Sequence, residues 1–386
     1  MARSISVEVE PLILKYARHY SGYDIATASR KLKITEDSLK KFEEEKSKVS
    51  IAAIKKMAEV YRIPVAFFFL TNPPADLVVP KDFRIIYASD EDKLSPEVML
   101  AIRKARYVQS IIQELRDERN EYEFKSVSIG NDTEKVAEYF RSILNVSTEQ
   151  QKKWGDPSST LRGWKDAVEK LGIFVLQQSL PEDDISAFCL ADDSPYIITL
   201  NSAEHENRRI FSLFHEIGHV LLHRSGVCTP NNFSRNSFEY IKVEKFCNAF
   251  SAAILVPMSD FLSNETVKRL QRTSFEDWSA DDVRSLANLY GVSQEVIYRR
   301  FVQVGYLDEK KYERKRMELI KSFVEFKKRP KKNAPIPQYR KIISKNGRAY
   351  STFILEKLHS NHINLADAAD YLGTNTQHIQ AVEAHI

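Results

Sequence analysis

The 386-residue chain has only three cysteines, Cys189, Cys228 and Cys247. That is too few, and too scattered, for a disulfide-framed fold, and it fits a reducing cytosol. Glycine (11) and proline (14) are also sparse, which disfavours a many-turned all-β sandwich and leans towards helices. No apolar run approaches the roughly 20 residues that span a bilayer; bursts such as Val65 to Leu70 are typical. The N-terminal segment has acids where a signal peptide would have an apolar stretch, so the expected location is the cytoplasm, with no membrane partner. Neither charge sign dominates: 57 basic against 53 acidic residues give +4, which permits a local basic surface without announcing a nucleic-acid binder. With 43% hydrophobic residues and 28% charged, a real core can form, and the length suggests several units.

Apolar residues recur at helical spacing from Pro11 to Leu70, in short bursts with Thr35 and Ser50 as N-caps. This predicts a compact helical bundle over residues 1–72. Thr71-Asn72-Pro73-Pro74 breaks the pattern. Residues 73–125 read as a linker, with a boundary near Val78 to Ser95, and a long connector helix from Glu97 to about Glu121. Residues 126–270 mix helix and strand: helices at 133–144, 160–171, 206–223 and 238–255, strands at 173–177, 185–190 and 196–200. Residues 271–333 read as a helical extension ending in a basic linker, and 334–386 as a small helical module. The basic stretch Lys310–Lys332 is a solvated face or linker, with nucleic-acid contact through Tyr312, Phe323 and Phe326 in second place.

The segment that carries chemistry is His215-Glu216-Ile217-Gly218-His219. Residues four apart on a helix share a face about 6 Å apart along the axis. Two imidazole nitrogens can then converge on one ion at about 2.0–2.1 Å. Glu216, offset by roughly 100°, lies beside such an ion, where a carboxylate can take a proton from an activated water. Gly218 costs the helix about 1 kcal/mol relative to alanine, which implies a packing or access reason. A catalytic zinc needs three protein ligands and an open position; Glu244, the inward acid of an otherwise apolar helix, is the choice for the third. His223 lies about 12 Å along the axis from His215, too far to join the pair, and suits a helix-end role. Cys228 is a candidate thiolate latch on the open position, or a small buried hydrophobe. Strand 196–200 reads as a sheet edge beside the metal where an extended substrate could add, or as an ordinary core strand. Arg209, His205 and Tyr240 are candidate oxyanion stabilisers.

Arg208 to His219, then Glu244-x-x-x-Asn248-Ala249-Phe250-Ser251-Ala252 through Leu255-Val256-Pro257, together with the strand ending Ile197-Ile198-Thr199-Leu200-Asn201, resemble the ImmA/IrrE family of zinc metallo-endopeptidases. The resemblance implies His215, His219 and Glu244 as ligands of one Zn2+ per chain and Glu216 as catalytic acid/base. It also implies cleavage of a specific protein, typically a repressor encoded nearby, that switches on stress, mobile-element or phage-defence genes. The N-terminal bundle resembles an XRE-type helix-turn-helix through Ile25–Leu32, Ile34-Thr35 and Leu39–Glu43. In such motifs the start of the second helix enters the major groove. Here Glu36 and Asp37 stand at that start and Glu43-Glu44-Glu45 follows, while Lys31, Lys33, Lys40 and Lys41 pull the other way. DNA or single-stranded DNA contact stands beside protein docking or a purely structural bundle as readings of this unit. The expected fold class is α+β and mainly helical: a zincin-like core with a small mixed sheet, preceded by the bundle and followed by helical modules. The rival reading is a non-catalytic helix-turn-helix regulator or antitoxin with a structural zinc.

Overall fold

The computed structural model describes residues 5–45, 47–74, 94–116, 124–125, 127–181, 185–223, 226–228, 238–327 and 335–386. The chain divides into two compact units, residues 1–106 and 107–386.

The first unit opens with β1 (Ser6–Val9), then α1 (Pro11–Tyr20), α2 (Ile25–Leu32), α3 (Glu36–Glu44), β2 (Ser47–Ser50) and α4 (Ile51–Tyr61). Side-chain caps start three of these helices: Asp24 accepts from the Thr27 amide, Thr35 from Ser38 and Ser50 from Ala53, each satisfying a donor the helix itself cannot. Leu14, Leu39, Ile54, Met57 and Phe68 fill the core. Arg18 forms a two-pronged ion pair with Glu43, Nε to Oε1 at 2.7 Å and Nη2 to Oε2 at 2.8 Å, both side chains almost fully buried. The antiparallel ribbon β1–β2, in register Ser6↔Ser50, was not expected from the sequence. Four-residue strands give a period-2 pattern too short to read, although Val9 and Val49 bury one face of it. A long helix, α5 (Pro96–Leu115), contains the boundary between the units. Of the expected connector, residues 117–121 lie outside the described residues, as do 78–93 of the boundary before it.

The second unit continues with α6 (Thr133–Leu144), α7 (Thr148–Lys153), α8 (Pro157–Glu169), β3 (Phe174–Gln178), β4 (Ala187–Leu190), β5 (Ile197–Asn201), α9 (Glu206–Leu221), β6 (Gly226–Cys228) and α10 (Phe238–Leu255). Next come α11 (Met258–Ser263), α12 (Glu265–Leu270), α13 (Ala280–Tyr290), α14 (Gln294–Gln303) and α15 (Glu309–Lys327). The chain ends in α16 (Gln338–Asn346), α17 (Arg348–His359), α18 (Leu365–Tyr371) and α19 (Ile379–Glu383). This corrects the reading of Lys310–Lys332 as a linker or solvated face: Glu309–Lys327 is helical and Tyr312 is buried in the core, which also removes it as a nucleic-acid contact, while residues 328–334 lie outside the described residues. The architecture is mainly helical α+β.

The sheet is mixed, in the order β3-β5-β4-β6, with β3 parallel to β5 and the other pairs antiparallel. This corrects the expected edge strand. β5 is bonded on both sides, Phe174↔Ile197 to β3 and Leu190↔Ile197 to β4, so it has no free backbone to offer. Its burial on every residue agrees with that central place. Helices α9 and α10 pack side by side, α9 against the sheet and α10 against α6. The apolar core runs from Val136 on α6 through Trp164, Phe214 and Phe250 to Phe301 and Tyr312, so α13 to α15 share it with the sheet. Trp164 meets Phe214 edge to face at 4.8 Å, an arrangement the ring quadrupoles favour.

The C-terminal helices are tied to this core by polar contacts at β3 and α8. Gln177 Nε2 donates to the Ser344 carbonyl at 2.9 Å, and Glu169 Oε2 accepts from the Ala349 amide at 3.1 Å, capping the first turn of α17 from another helix. Gly347 permits this closeness: it adopts φ +79, and a Cβ there would sit 2.5 Å from the Val175 carbonyl oxygen. Among the described residues no helix is long and apolar enough to cross a membrane.

Candidate metal centre

Helix α9 begins at His205, whose Nδ1 accepts from the Asn207 amide, and is buried almost continuously from Ile210 to Leu221. Such a helix belongs to the core, and a polar residue inside it must find a partner. His215, Glu216 and His219 are nevertheless 1%, 0% and 3% exposed, and Glu244 on the neighbouring α10 is 6% exposed. Four ionisable groups in an apolar interior are costly unless they answer one another or an ion.

Three of them converge. His215 Nε2 and His219 Nε2 are 3.2 Å apart, and each lies 3.3 Å from a Glu244 oxygen, Oε2 and Oε1 respectively. A cation with ligands at about 2.0–2.1 Å in tetrahedral directions has ligand–ligand edges of about 3.3–3.4 Å. The observed separations of 3.2 and 3.3 Å are close to these, with His215 facing one Glu244 oxygen and His219 the other, so the three residues are near enough to share a single divalent ion. Burial alone would raise the Glu244 carboxyl, but the two imidazoles outweigh it and hold it well below the usual carboxylate range. For His215, burial pulls the imidazole down and Glu244 pushes it up, with the carboxylate prevailing.

Glu216 differs. Neither of its oxygens accepts a conventional hydrogen bond among the described residues. Burial pushes its carboxyl up; His219, His215 and the weakly donating thiol of Cys189 only partly offset that. A completely buried, poorly solvated carboxyl beside an ion site is what a proton acceptor requires.

Two contributors escaped the sequence reading. Asn248 Oδ1 sits 3.2 Å from His215 Nδ1, so a proton on Nδ1 is held there and Nε2 is the ring nitrogen that faces the cluster. Cys247 places its Sγ within 4.8 Å of the His215 and His219 donor nitrogens, and the three form a group able to hold a metal. Both follow Glu244 at helical spacing (i+3 and i+4), the one signal in the sequence that could have pointed to them. Gly218 has the packing reason expected of it. A Cβ there would meet Cys247 Sγ at 2.9 Å and Cys247 Cα at 3.1 Å, so only glycine lets α9 and α10 approach this closely.

The other candidates lie elsewhere. Arg209 is engaged by Gln177 and Glu206, each at 2.7 Å. His205 caps α9 ten residues before His215, about 15 Å along the axis. Tyr240 sits one turn before Glu244 on α10, half-buried, and is the nearest of the three in helical position. His223, in the left-handed region at φ 52, ends α9 against the Tyr196 ring. The backbone of Cys228 pairs with Ala187, while its side chain lies outside the described residues.

Residues 168–302 match the family model for the IrrE N-terminal-like domain of peptidase family M78. The matched stretch holds the sheet, α9, α10 and the whole cluster. It supports the ImmA/IrrE family and a metallopeptidase-type function for this unit. The His-His-Cys group is compatible with a metal ion. No curated protein matches the chain.

Proposed function

We propose that the chain is a zinc-dependent endopeptidase that cleaves one specific protein, a transcriptional repressor encoded nearby, and so derepresses stress, mobile-element or phage-defence genes. The observation that carries the chemistry is the pairing of three donors at tetrahedral spacing with a buried carboxylate, Glu216, that lacks a conventional partner. His215 Nε2, His219 Nε2 and Glu244 would hold the ion, leaving one vertex open. When present, zinc supplies Lewis-acid polarisation of a carbonyl and of a water. Glu216 then accepts the proton of the attacking water and returns it to the leaving amine, so no net proton is lost. Asn248 fixes the His215 ring throughout. Because β5 is internal, strand addition of the substrate falls to an edge strand, β3 or β6, each with one ladder partner among the described residues.

For the N-terminal unit, α2 and α3 are joined by the three residues 33–35, the connection a helix-turn-helix uses. Glu36 and Asp37 in the first turn of α3 repel phosphate, while Lys31, Lys33, Lys40 and Lys41 attract it. Single-strand and duplex binding across a salt series decides whether this unit contacts DNA, since phosphate contacts weaken steeply with salt.

A second reading rests on Cys247. If its thiol closes the fourth vertex, the ion is structural and the chain acts as a non-catalytic regulator or antitoxin. Cobalt substitution separates the two, because a thiolate ligand adds a sulfur-to-metal charge-transfer band that a His2Glu site lacks. Activity is tested by incubating the purified protein, with zinc, against the products of neighbouring genes. Cleavage at one site, abolished by Glu216→Ala, is the expected result; a DNA footprint that survives Glu216→Ala, without cleavage of any neighbour, would favour the regulator.

A further inference from the structure

A cavity of about 210 Å³ opens between α10, α14 and α15, lined by Lys245, Asn248, Ala249, Arg299, Gln303 and Tyr312, with Val302 and Glu309 completing it. None of His215, Glu216, His219 or Glu244 lines it. One of its lining residues, Asn248, reaches the ion site, where its Oδ1 is on His215 Nδ1. We propose that this cavity binds a small anion bearing a carboxylate or phosphate group, and that the anion tunes the ion site through the Asn248 amide.

The lining is rich in donors. Lys245 has no ion-pair partner among the described residues, and with Oδ1 taken by His215, Asn248 Nδ2 has none either. Arg299 stands with its guanidinium over the Tyr312 ring, spending one nitrogen on the Tyr312 hydroxyl at 2.9 Å. That hydroxyl in turn faces Glu295, which is also held by Arg316, so Arg299 is oriented without being neutralised. Gln303 has its oxygen on Arg300, which leaves its amide hydrogens to the cavity. Glu309 is the one acid of the lining, against two cations. Val302, Ala249 and the Tyr312 face give an apolar wall for the rest of a ligand, the usual make-up of a small-molecule pocket.

An anion accepting from Asn248 Nδ2 would hold the amide plane, and with it the orientation of the His215 ring. Partners of this kind alter metal affinity by about 10–100-fold when lost. Coupling between the two sites is reciprocal, so metal must tighten the anion by the factor by which the anion tightens metal. Only this coupling rests on the proposed metal site; anion binding does not.

Inorganic phosphate serves as the probe, titrated calorimetrically into the full chain at fixed ionic strength, without and with zinc. One phosphate per chain is expected, at least tenfold weaker in Lys245→Ala/Arg299→Met and retained in metal-free His215→Ala. Binding lost in His215→Ala, or unchanged in the double variant, would place phosphate at the ion site or on the general surface and overturn the proposal; so would absence of saturable binding at millimolar concentration. In a chelator competition, phosphate is expected to raise zinc affinity in the wild type and not in Asn248→Ala. An equal effect of phosphate in both would overturn the coupling. A glutamate-containing peptide as a further arm tells a free anion from an acidic side chain, since both present an oxyanion. Tighter binding of the peptide than of phosphate would overturn the free-anion assignment.

Discussion

Gly218→Ala puts the spacing of the two site helices to the test. A Cβ at this position would lie 2.9 Å from Cys247 Sγ, 3.1 Å from Cys247 Cα and 3.2 Å from its Cβ. Carbon atoms in favourable contact stay about 3.5–4.0 Å apart, so α10 would have to retreat from α9 by about half an ångström. Overpacking of this kind costs about 1–3 kcal/mol. Alanine's better helix propensity returns about 1 kcal/mol, and the net is a loss of about 0–2 kcal/mol. The metal signature is the sharper one. Glu244 is one turn from Cys247, so its carboxylate retreats with the helix, and ligand distances tolerate only about ±0.2 Å. Zinc affinity should fall about tenfold or more, as it does when a partner orienting a ligand is lost. Chelator competition measures the affinity, and thermal unfolding of the metal-free protein measures the packing. Adding Cys247→Ala relieves the clash with the sulfur but leaves the clash with the α10 backbone, so recovery should be partial. If Gly218→Ala instead raises the melting temperature and leaves zinc affinity unchanged, the close approach is not what sets the ligand geometry.

Glu216→Gln should leave zinc content at the wild-type value while lowering the cleavage rate about 10²–10⁴-fold, the usual worth of a positioned proton carrier; metal analysis beside a cleavage time course checks both. Glu43→Ala strands the buried Arg18 guanidinium and should destabilise the N-terminal unit by about 3–5 kcal/mol, seen in urea unfolding as an early transition while the second unit stays folded. Burial raises the Glu169 carboxyl, with Lys165 and the Ala349 amide opposing. The folded state then holds that proton more tightly than the unfolded one, so stability falls as pH climbs from the ordinary carboxylate range through the raised value, by up to about 1.4 kcal/mol per pH unit. Glu169→Gln should flatten this part of the stability–pH curve; an unchanged slope would count against the assignment.

Local signals in the sequence were informative where the physics is local. Thr35 and Ser50 could be read as caps because a hydroxyl before a helical pattern has few other uses; α6 and α9 could be read from their long apolar stripes, and α10 because it is apolar on nearly all sides. His215, Glu216 and His219 were legible as a unit because helix geometry fixes how four-apart residues relate. What depends on partners distant in sequence was not. Strand order is decided by which backbone bonds to which, and nothing in Ile197–Asn201 records that β5 lies between β3 and β4. Asn248 and Cys247 acquire meaning only when α10 is set against α9, an approach that Gly218 hints at without naming the helix it admits. The cavity between α10, α14 and α15 joins residues more than fifty positions apart.

The central claim is that His215, His219 and Glu244 hold one divalent ion and that Glu216 does not. Metal content of the purified full chain, by mass spectrometry after dialysis against a weak chelator, tests it most directly. One zinc per chain is expected in the wild type and in Glu216→Gln, and near zero in His215→Ala, His219→Ala and Glu244→Ala. Retention of zinc by folded Glu244→Ala, with loss in Cys247→Ala, would contradict it.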